Sequence, residues 1–261
     1  MAGNSHIQGQ TVASKLVRIL ELFAADRPRL RASDVCRRSG LPFSTVHRLL
    51  AELASSGMLH RSSDGTYAVG ISLWQVAASH PQLRVLRASA LPAMSALHAS
   101  VDASVYLNAL VGDEGLCIEE IRRAGDDRYR YGTRFALCST AGGQILLAYT
   151  ETSTLLSGWR PAEGTVPSYK RLHQHLRIRR AGVAVSTASG GVAVAAPIFG
   201  GSGTVIASLE AVSTPGADRS DLVNAVRRAA AAASATPPVR PAEILRDYPP
   251  SGYQLDDCTA S

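Results

Sequence analysis

LRASDVCRRSGLPFSTVHRLLAELASSGMLHRSSDGTYAV, residues 30–69, holds two helix-forming stretches joined at a glycine and a proline and closed by a short hairpin. Residues 33–39 predict the first helix, with Ser33 placed to cap its free amides and Val35 and Cys36 turned inward. Gly40 suits the positive φ found just past a helix end, and Pro42 fits the first turn of the next helix, whose amides lack an internal partner. In that second helix Val46, Leu49, Leu50 and Leu53 recur at i, i+3, i+4 and i+7 and form one buried stripe. The opposite face is polar, with Ser44, Thr45, His47, Arg48 and Glu52. Beyond Gly57, residues 58–61 and 66–69 are extended runs around Asp64 and Gly65, a pair suited to a hairpin turn. Helix, turn, helix, hairpin is the order of a winged helix-turn-helix, whose second helix lies in the DNA major groove while the hairpin reaches the flanking backbone or minor groove. A helical hairpin without a ligand would need only the apolar stripe; the turn residues and the hairpin together favour DNA binding. Ser44, Thr45, His47 and Arg48 are therefore the candidate operator contacts, with Ser33 and Pro42 at the helix starts and Arg61, Thr66 and Tyr67 positioning the wing.

Upstream, residues 11–24 carry Val12, Leu16, Ile19, Leu20 and Phe23 at helical spacing, with Lys15, Arg18 and Glu21 outside. Residues 26–29 read as a turn. Residues 1–70 hold nine Lys or Arg against five Asp or Glu, so +4 of the net +6 sits in about a quarter of the chain. That asymmetry suits a polyanionic partner, although a solvated basic surface is common.

Downstream, residues 71–79 predict a helix with Leu73, Trp74, Val76 and Ala77 available for packing, interrupted by Pro81. Residues 83–99 continue with Leu86, Leu91, Met94 and Leu97 inward, and Pro92 bends that helix or marks its start. The period then changes. Residues 105–111 and 116–121 are extended, with 112–115 as their loop, and the charged stretch 122–134 is an exposed loop. The adjacent Asp126 and Asp127, flanked by arginines, read as solvated rather than as a metal or acid–base pair.

FALCSTAGGQILLAY, residues 135–149, brings a strand end to small residues and then to a helix. Free amides there could cradle an anion; close packing of a helix on a sheet needs the same small residues. Residues 152–167 are loop-like. Residues 168–181 predict a basic helix with Leu172, Leu176 and Ile178 inward and Lys170, Arg171, Arg177, Arg179 and Arg180 outward. His173 and His175 fall on different faces of it and share no metal. Residues 182–185, 191–197 and 205–212 are extended, the last two turned at 200–203. Residues 220–235 form an alanine-rich closing helix, and the proline-rich tail 236–261 is disordered.

At 261 residues the chain accommodates two modest domains. No apolar run approaches a membrane span and the start lacks the regions of a signal peptide, which places the protein in the cytoplasm. Four cysteines, at 36, 117, 138 and 258, show no disulfide-like spacing, in keeping with a reducing compartment. An enzyme is the first competing class, but GxSxG, Walker and HExxH motifs and a spaced metal set are absent from the sequence, and GGSG at 200–203 reads as a turn. No cofactor is expected.

Residues 40–70 resemble the DNA-binding domain of the IclR family of bacterial transcription regulators, in its "G-L-P-x-S-T-x-H-R-L-L" helix and its "D-G-x-Y-x-L-G" wing. Cys36 stands where that family usually has alanine, and Ser39 where it often has an apolar residue. Residues 135–149 resemble the family's effector-domain signature "P-L-H-A-T-A-x-G-K-A-x-L-A": Leu137, Thr140, Ala141, Gly143, Leu147 and Ala148 match, whereas Ala136, Cys138 and Gln144 replace proline, histidine and lysine. Further on, Gly182, Ala195, Ala196 and Pro197 are kept, residues 186–189 occupy a usually acidic segment, and Ala193 replaces the pocket cysteine.

The resemblance implies an α+β chain in which an N-terminal winged helix-turn-helix (10–71) is joined by a linker helix (72–85) to a GAF-like α/β effector-binding domain (86–235), with a tail from 236. It implies a homodimer or tetramer paired partly through the first helix, a roughly palindromic double-stranded DNA operator, and a small-molecule effector at Thr140, Ala141, Gly142, Gly143 and Ala193. The ligand would act through 71–79 on the spacing of two DNA-binding domains. A bulky residue at Gly143 is expected to abolish ligand-dependent stabilisation and leave folding largely intact. The competing reading keeps DNA binding, as a regulator or architectural protein, but gives the C-terminal domain a protein partner instead of a small molecule.

Overall fold

The computed structural model describes residues 11–23, 29–126, 131–150, 169–188, 191–216 and 218–234. The expectations for residues 26–28, Asp127, the 152–167 loop and the tail from 236 lie outside them. Two compact units divide the chain, Met1–Pro81 and Gln82–Ser261.

The first unit opens with α1 (Val12–Glu21), where the Thr11 hydroxyl accepts from the Ser14 amide at 3.2 Å. Ile19 and Phe23 are buried, but Val12, expected inward, is 53 % exposed, as is Val17 at 54 %. Next comes a strand that the sequence had hidden, β1 (Arg29–Arg31), too short for an alternating pattern to stand out. It leads directly into α2 (Ala32–Ser39). Asp34, not Ser33, organises that start, its carboxylate accepting from the Arg31 amide at 3.3 Å; Ser33 lies exposed inside the first turn. At the turn, Gly40 has φ +66° and its amide reaches the Cys36 carbonyl at 2.9 Å. The buried Ser39 hydroxyl accepts from the Leu41 amide at 3.2 Å, so a polar residue is satisfied where an apolar one would also pack. α3 (Phe43–Ser55) has Pro42 as its cap residue and buries Val46, Leu49, Leu50 and Leu53 as the stripe required.

Strands β2 (Leu59–Arg61) and β3 (Thr66–Val69) complete a three-stranded antiparallel sheet in the order β1-β3-β2, with Leu30 opposite Tyr67 and Arg61 opposite Tyr67 on its other side. α4 (Ile71–Ala78) follows with a close backbone lock: the Gly70 amide donates to Met58 at 2.8 Å and the Ser72 amide to Gly57 at 3.2 Å. A Cβ on Gly70 would come within 2.8 Å of the Gly57 carbonyl carbon and collide with its oxygen, so only glycine fits. No residue of α4 is buried, and Ile71, Trp74 and Val76 are each more than 60 % exposed, so the packing side chains of that helix are left uncovered within one copy of the chain.

The second unit begins with α5 (Pro81–Ser100). Residues 72–85 thus span the end of one helix and the start of another. Pro81 opens α5, while Pro92 sits within it on an exposed face. Leu86, Ala90, Met94 and Leu97 are buried, and Leu91, expected inward, is exposed. The strands are β4 (Ala103–Val111), β5 (Glu114–Ile121), β6 (Arg134–Ala136), β7 (Ala184–Ala188), β8 (Gly191–Phe199) and β9 (Val205–Ser213), and the helices α6 (Ala141–Tyr149), α7 (Tyr169–Ala181) and α8 (Arg219–Ser234). They form one antiparallel six-stranded sheet, β6-β5-β4-β9-β8-β7. Val111 pairs with Glu114, so the first hairpin turns on Gly112 and Asp113 alone, tighter than the four-residue loop expected. This is the GAF-like α/β arrangement, and the whole is an α+β chain. One sheet face packs its aliphatic side chains with α5 and α8; the other packs with α6 and α7.

Arg179, expected on the outer face of α7, instead serves α6. Its guanidinium donates to the carbonyls of Ala148 and Thr150 and lies 5.7 Å from the Tyr149 ring centre, placing a cation at a helix C-terminus. Leu176 is exposed, and only Ile178 of the predicted inward residues that can be described is buried. Among the cysteines, Cys36 and Cys117 are free thiols, while Cys138 is disulfide-bonded, which its spacing did not announce.

Candidate functional site

The exposed side of α3 is where the first unit can meet a ligand. Burying the stripe from Val46 to Leu53 fixes the rotation of the helix, which leaves Ser44, His47 and Arg48 exposed and Thr45 half-buried at its flank. Arg48 is held extended by Glu52, 2.9 Å away one turn on, in a pair more than half exposed on both sides. Such a pair contributes little stability, about 0.3–0.5 kcal/mol, and is easily exchanged for another anion. His47 lies beside Phe43, ring centres 5.9 Å apart and planes tilted by 33°. Pro42 and Ser33 are exposed at the starts of α3 and α2.

The wing residues divide. Arg61 is exposed, its guanidinium 5.8 Å from the Tyr67 ring centre. Tyr67 is only 3 % exposed and belongs to the core, so it fixes the wing from within and offers no ring to a ligand. The Thr66 hydroxyl donates to Asp64 at 2.7 Å and its amide to the same oxygen at 3.0 Å. Those two bonds hold the Asp64 carboxyl below the usual carboxylate range and keep the turn closed.

In the second unit Thr140 caps α6, its hydroxyl accepting from the Gly143 amide at 2.8 Å. Ala141, Gly142 and Gly143 are all buried, and Ala141 and Ala193 share one apolar cluster. The glycines are there for close approach. A Cβ on Gly143 would strike the Leu137 backbone, within 2.8 Å of its Cα and carbonyl carbon, so the expectation that a bulky residue is tolerated at this position is overturned. A Cβ on Gly142 would meet side chains instead, lying 2.8 Å from Glu210 Oε2 and 3.1 Å from Ser208 Oγ, with the Asn108 amide nearer still.

Sequence reading had missed that polar group. Asn108, Ser208 and Glu210 are 0–1 % exposed, and the Asn108 amide donates to Glu210 at 3.2 Å. The pairings Tyr106 to Glu210 and Asn108 to Ser208 put all four on one sheet face. Asn108 Oδ1 and Ser208 Oγ have no hydrogen-bond partner among the described residues, a deficit that buried polar groups seldom tolerate unless something else is to meet them. The signal was present: Asn108 stands among the aliphatic residues of β4, and Ser208 and Glu210 among those of β9. An open groove of about 560 Å³ lies elsewhere, lined by residues that include His98, Asp102 and Arg123, and its Arg123 is already paired with Asp102 at 2.6 Å.

The model of the IclR helix-turn-helix domain matches residues 12–63, and that of the bacterial transcriptional regulator IclR C-terminal domain matches residues 81–235. The chain belongs to the IclR family. Among similar proteins, the HTH-type transcriptional regulator XynR of Escherichia coli is 28 % identical over 80 % of this chain and 89 % of its own. A crystal structure of an IclR homolog from Microbacterium hydrocarbonoxydans, complexed with 4-hydroxybenzoate, is 30 % identical, covers 86 % of this chain and 98 % of its own, and superposes with a TM-score of 0.76. An IclR transcriptional regulator from Alicyclobacillus acidocaldarius, 22 % identical over 87 % and 99 % of the two chains, shares the fold with a TM-score of 0.70.

One thiol of this IclR-family regulator lies on the same sheet face as the polar group. Cys117, paired with Asn108 across β4 and β5, is fully buried; burial, then Glu120, Glu210 and Glu119, push its thiol from the ordinary 9.0 up to about 12. In the unfolded chain it ionises near pH 9 while the native thiol stays protonated. Native stability owed to this group is therefore intact below pH 9 and lost progressively as pH rises towards 12. Urea melts at pH 8 and pH 10 should show a fall that Cys117→Val reduces; an identical fall in the variant would remove Cys117 as its source. At pH 8 a thiol reagent should label Cys117 only after denaturation.

Proposed function

We propose that the chain controls transcription by binding a roughly palindromic operator as a homo-oligomer, with affinity set by a small-molecule effector in its C-terminal domain. The observation that carries this is the exposed Ser44, His47 and Arg48 set opposite the buried stripe of α3, in a unit with excess positive charge. Residues 10–71 would bind DNA, 72–85 would transmit, and 86–235 would take the effector, in the cytoplasm. Pairing is supported by the apolar side chains of Val12, Val17, Ile71, Trp74 and Val76, which water leaves uncovered in one copy. An effector is supported by the unpartnered Asn108 and Ser208 oxygens beside Gly142, and by the small molecule held by a relative. Thr140, Ala141, Gly142, Gly143 and Ala193 would line or shape its site.

The test is fluorescence anisotropy of the full chain against DNA from its own upstream intergenic region, beside a scrambled duplex and at several salt concentrations. Site-selective binding that weakens linearly with log salt is expected, by roughly 10³-fold or more between 50 and 200 mM if six phosphates are contacted. Equal, weak binding to both duplexes would reject this operator. Thermal shifts against small aromatic acids, 4-hydroxybenzoate among them, then test the effector arm.

A further inference from the structure

Phe43 is the residue on the α3 surface that DNA-backbone chemistry does not explain. It occupies the first helical position and is 62 % exposed, whereas Phe23 and Tyr67 of the same unit are 5 % and 3 % exposed. Its ring has no hydrogen-bonding atom and can hold no phosphate. His47, one turn on, lies beside it with ring centres 5.9 Å apart and planes tilted by 33°, so the two rings form a ridge at the entering end of the helix. Ser44 and Arg48 are exposed on the same helix and would supply the polar contacts.

We infer that Phe43 reads sequence by packing on thymine methyl groups in the major groove, and that half-sites bound by this chain carry thymine where α3 enters. This rests on the DNA-binding reading above. The N-terminal residues of a recognition helix face base edges, and the apolar group displayed on a major-groove edge is the thymine C5-methyl. Covering the ring against a methyl removes apolar surface of both from water, and His47 flanks the ring one turn along the same helix.

The test selects duplexes from a random library with the full-length protein and then replaces each thymine of the enriched site by deoxyuridine, which deletes only the methyl. Wild-type protein should lose about fourfold affinity at one or two positions per half-site, the worth of one buried methyl. Phe43→Ala should melt like wild type, bind the thymine duplex more weakly, and be indifferent to deoxyuridine at those positions; Phe43→Leu should keep part of the discrimination. An enriched site at which no deoxyuridine matters, or at which it matters equally to Phe43→Ala, overturns the assignment and leaves the DNA-binding reading standing. Failure to enrich any sequence removes both.

Discussion

Gly143→Val is expected to lower the melting temperature of the C-terminal unit by roughly 6–12 °C, from an overpacking cost of about 3 kcal/mol in a unit of this size. The reason is what lies opposite. The added carbon would meet Leu137 backbone, not the flexible end of a side chain, so relief requires moving α6 or the segment that precedes it. The same helix is held at its far end by Arg179, and displacement would also break the two bonds from that guanidinium to Ala148 and Thr150. Gly142→Ala is the informative contrast. Its neighbours are the ends of Asn108, Glu210 and Ser208, which can shift, so that variant should fold with a smaller loss and show its main effect in ligand-dependent stabilisation. Calorimetry of both variants with and without ligand checks this. Equal melting temperatures for Gly143→Val and wild type would mean that α6 does not sit on the Leu137 backbone as described.

Arg48→Ala should weaken operator binding by about 10- to 100-fold, the 1–3 kcal/mol of a good arginine contact. How it weakens identifies the contact. If Arg48 reads a guanine edge, selectivity over the scrambled duplex falls; if it clamps a phosphate, all sequences suffer alike and the salt slope drops by about one. Glu52→Ala serves as the control. It frees Arg48 from an exposed pair of small worth and should change affinity by no more than a few-fold, upward if anything, because a carboxylate near the DNA is removed. Unchanged affinity in Arg48→Ala together with Ser44→Ala would refute the assignment of the recognition face.

Much of the first unit was legible because the determinants are local. A glycine at positive φ, a proline at a helix start and four leucine or valine side chains at helical spacing each dictate their own surroundings. β1 escaped because three residues carry too little pattern, and its status as a strand depends on Thr66 to Ala68 across the sheet. The same non-locality misled the reading of Val12, Leu91 and Leu176: periodicity gives a face, but which face is covered depends on what packs there. In the second unit the glycines of α6 were visible in sequence. The polar group beneath them was not assembled, because Asn108 and Glu210 lie 102 positions apart and meet only through the β4–β9 register. Arg179 was misread for a related reason, since the carbonyls it caps belong to a helix about thirty residues earlier.

The lock between Gly57 and Gly70 bears on how such chains can be recombined. α4 starts on the carbonyl of Gly57, and the Gly70 amide is spent on Met58, so the first turn of α4 is built from the same backbone that closes the wing. A chimera spliced at 70–71 would keep Gly70 but graft a foreign helix onto that lock, and the residue it brings to position 72 would have to supply the backbone amide that Gly57 accepts, which proline cannot. A crossover at 79–80, past the end of α4, would carry the lock intact. Exchange of sensing modules between relatives should therefore be better tolerated at the later junction than at the earlier one, even though the earlier one coincides with the end of the wing.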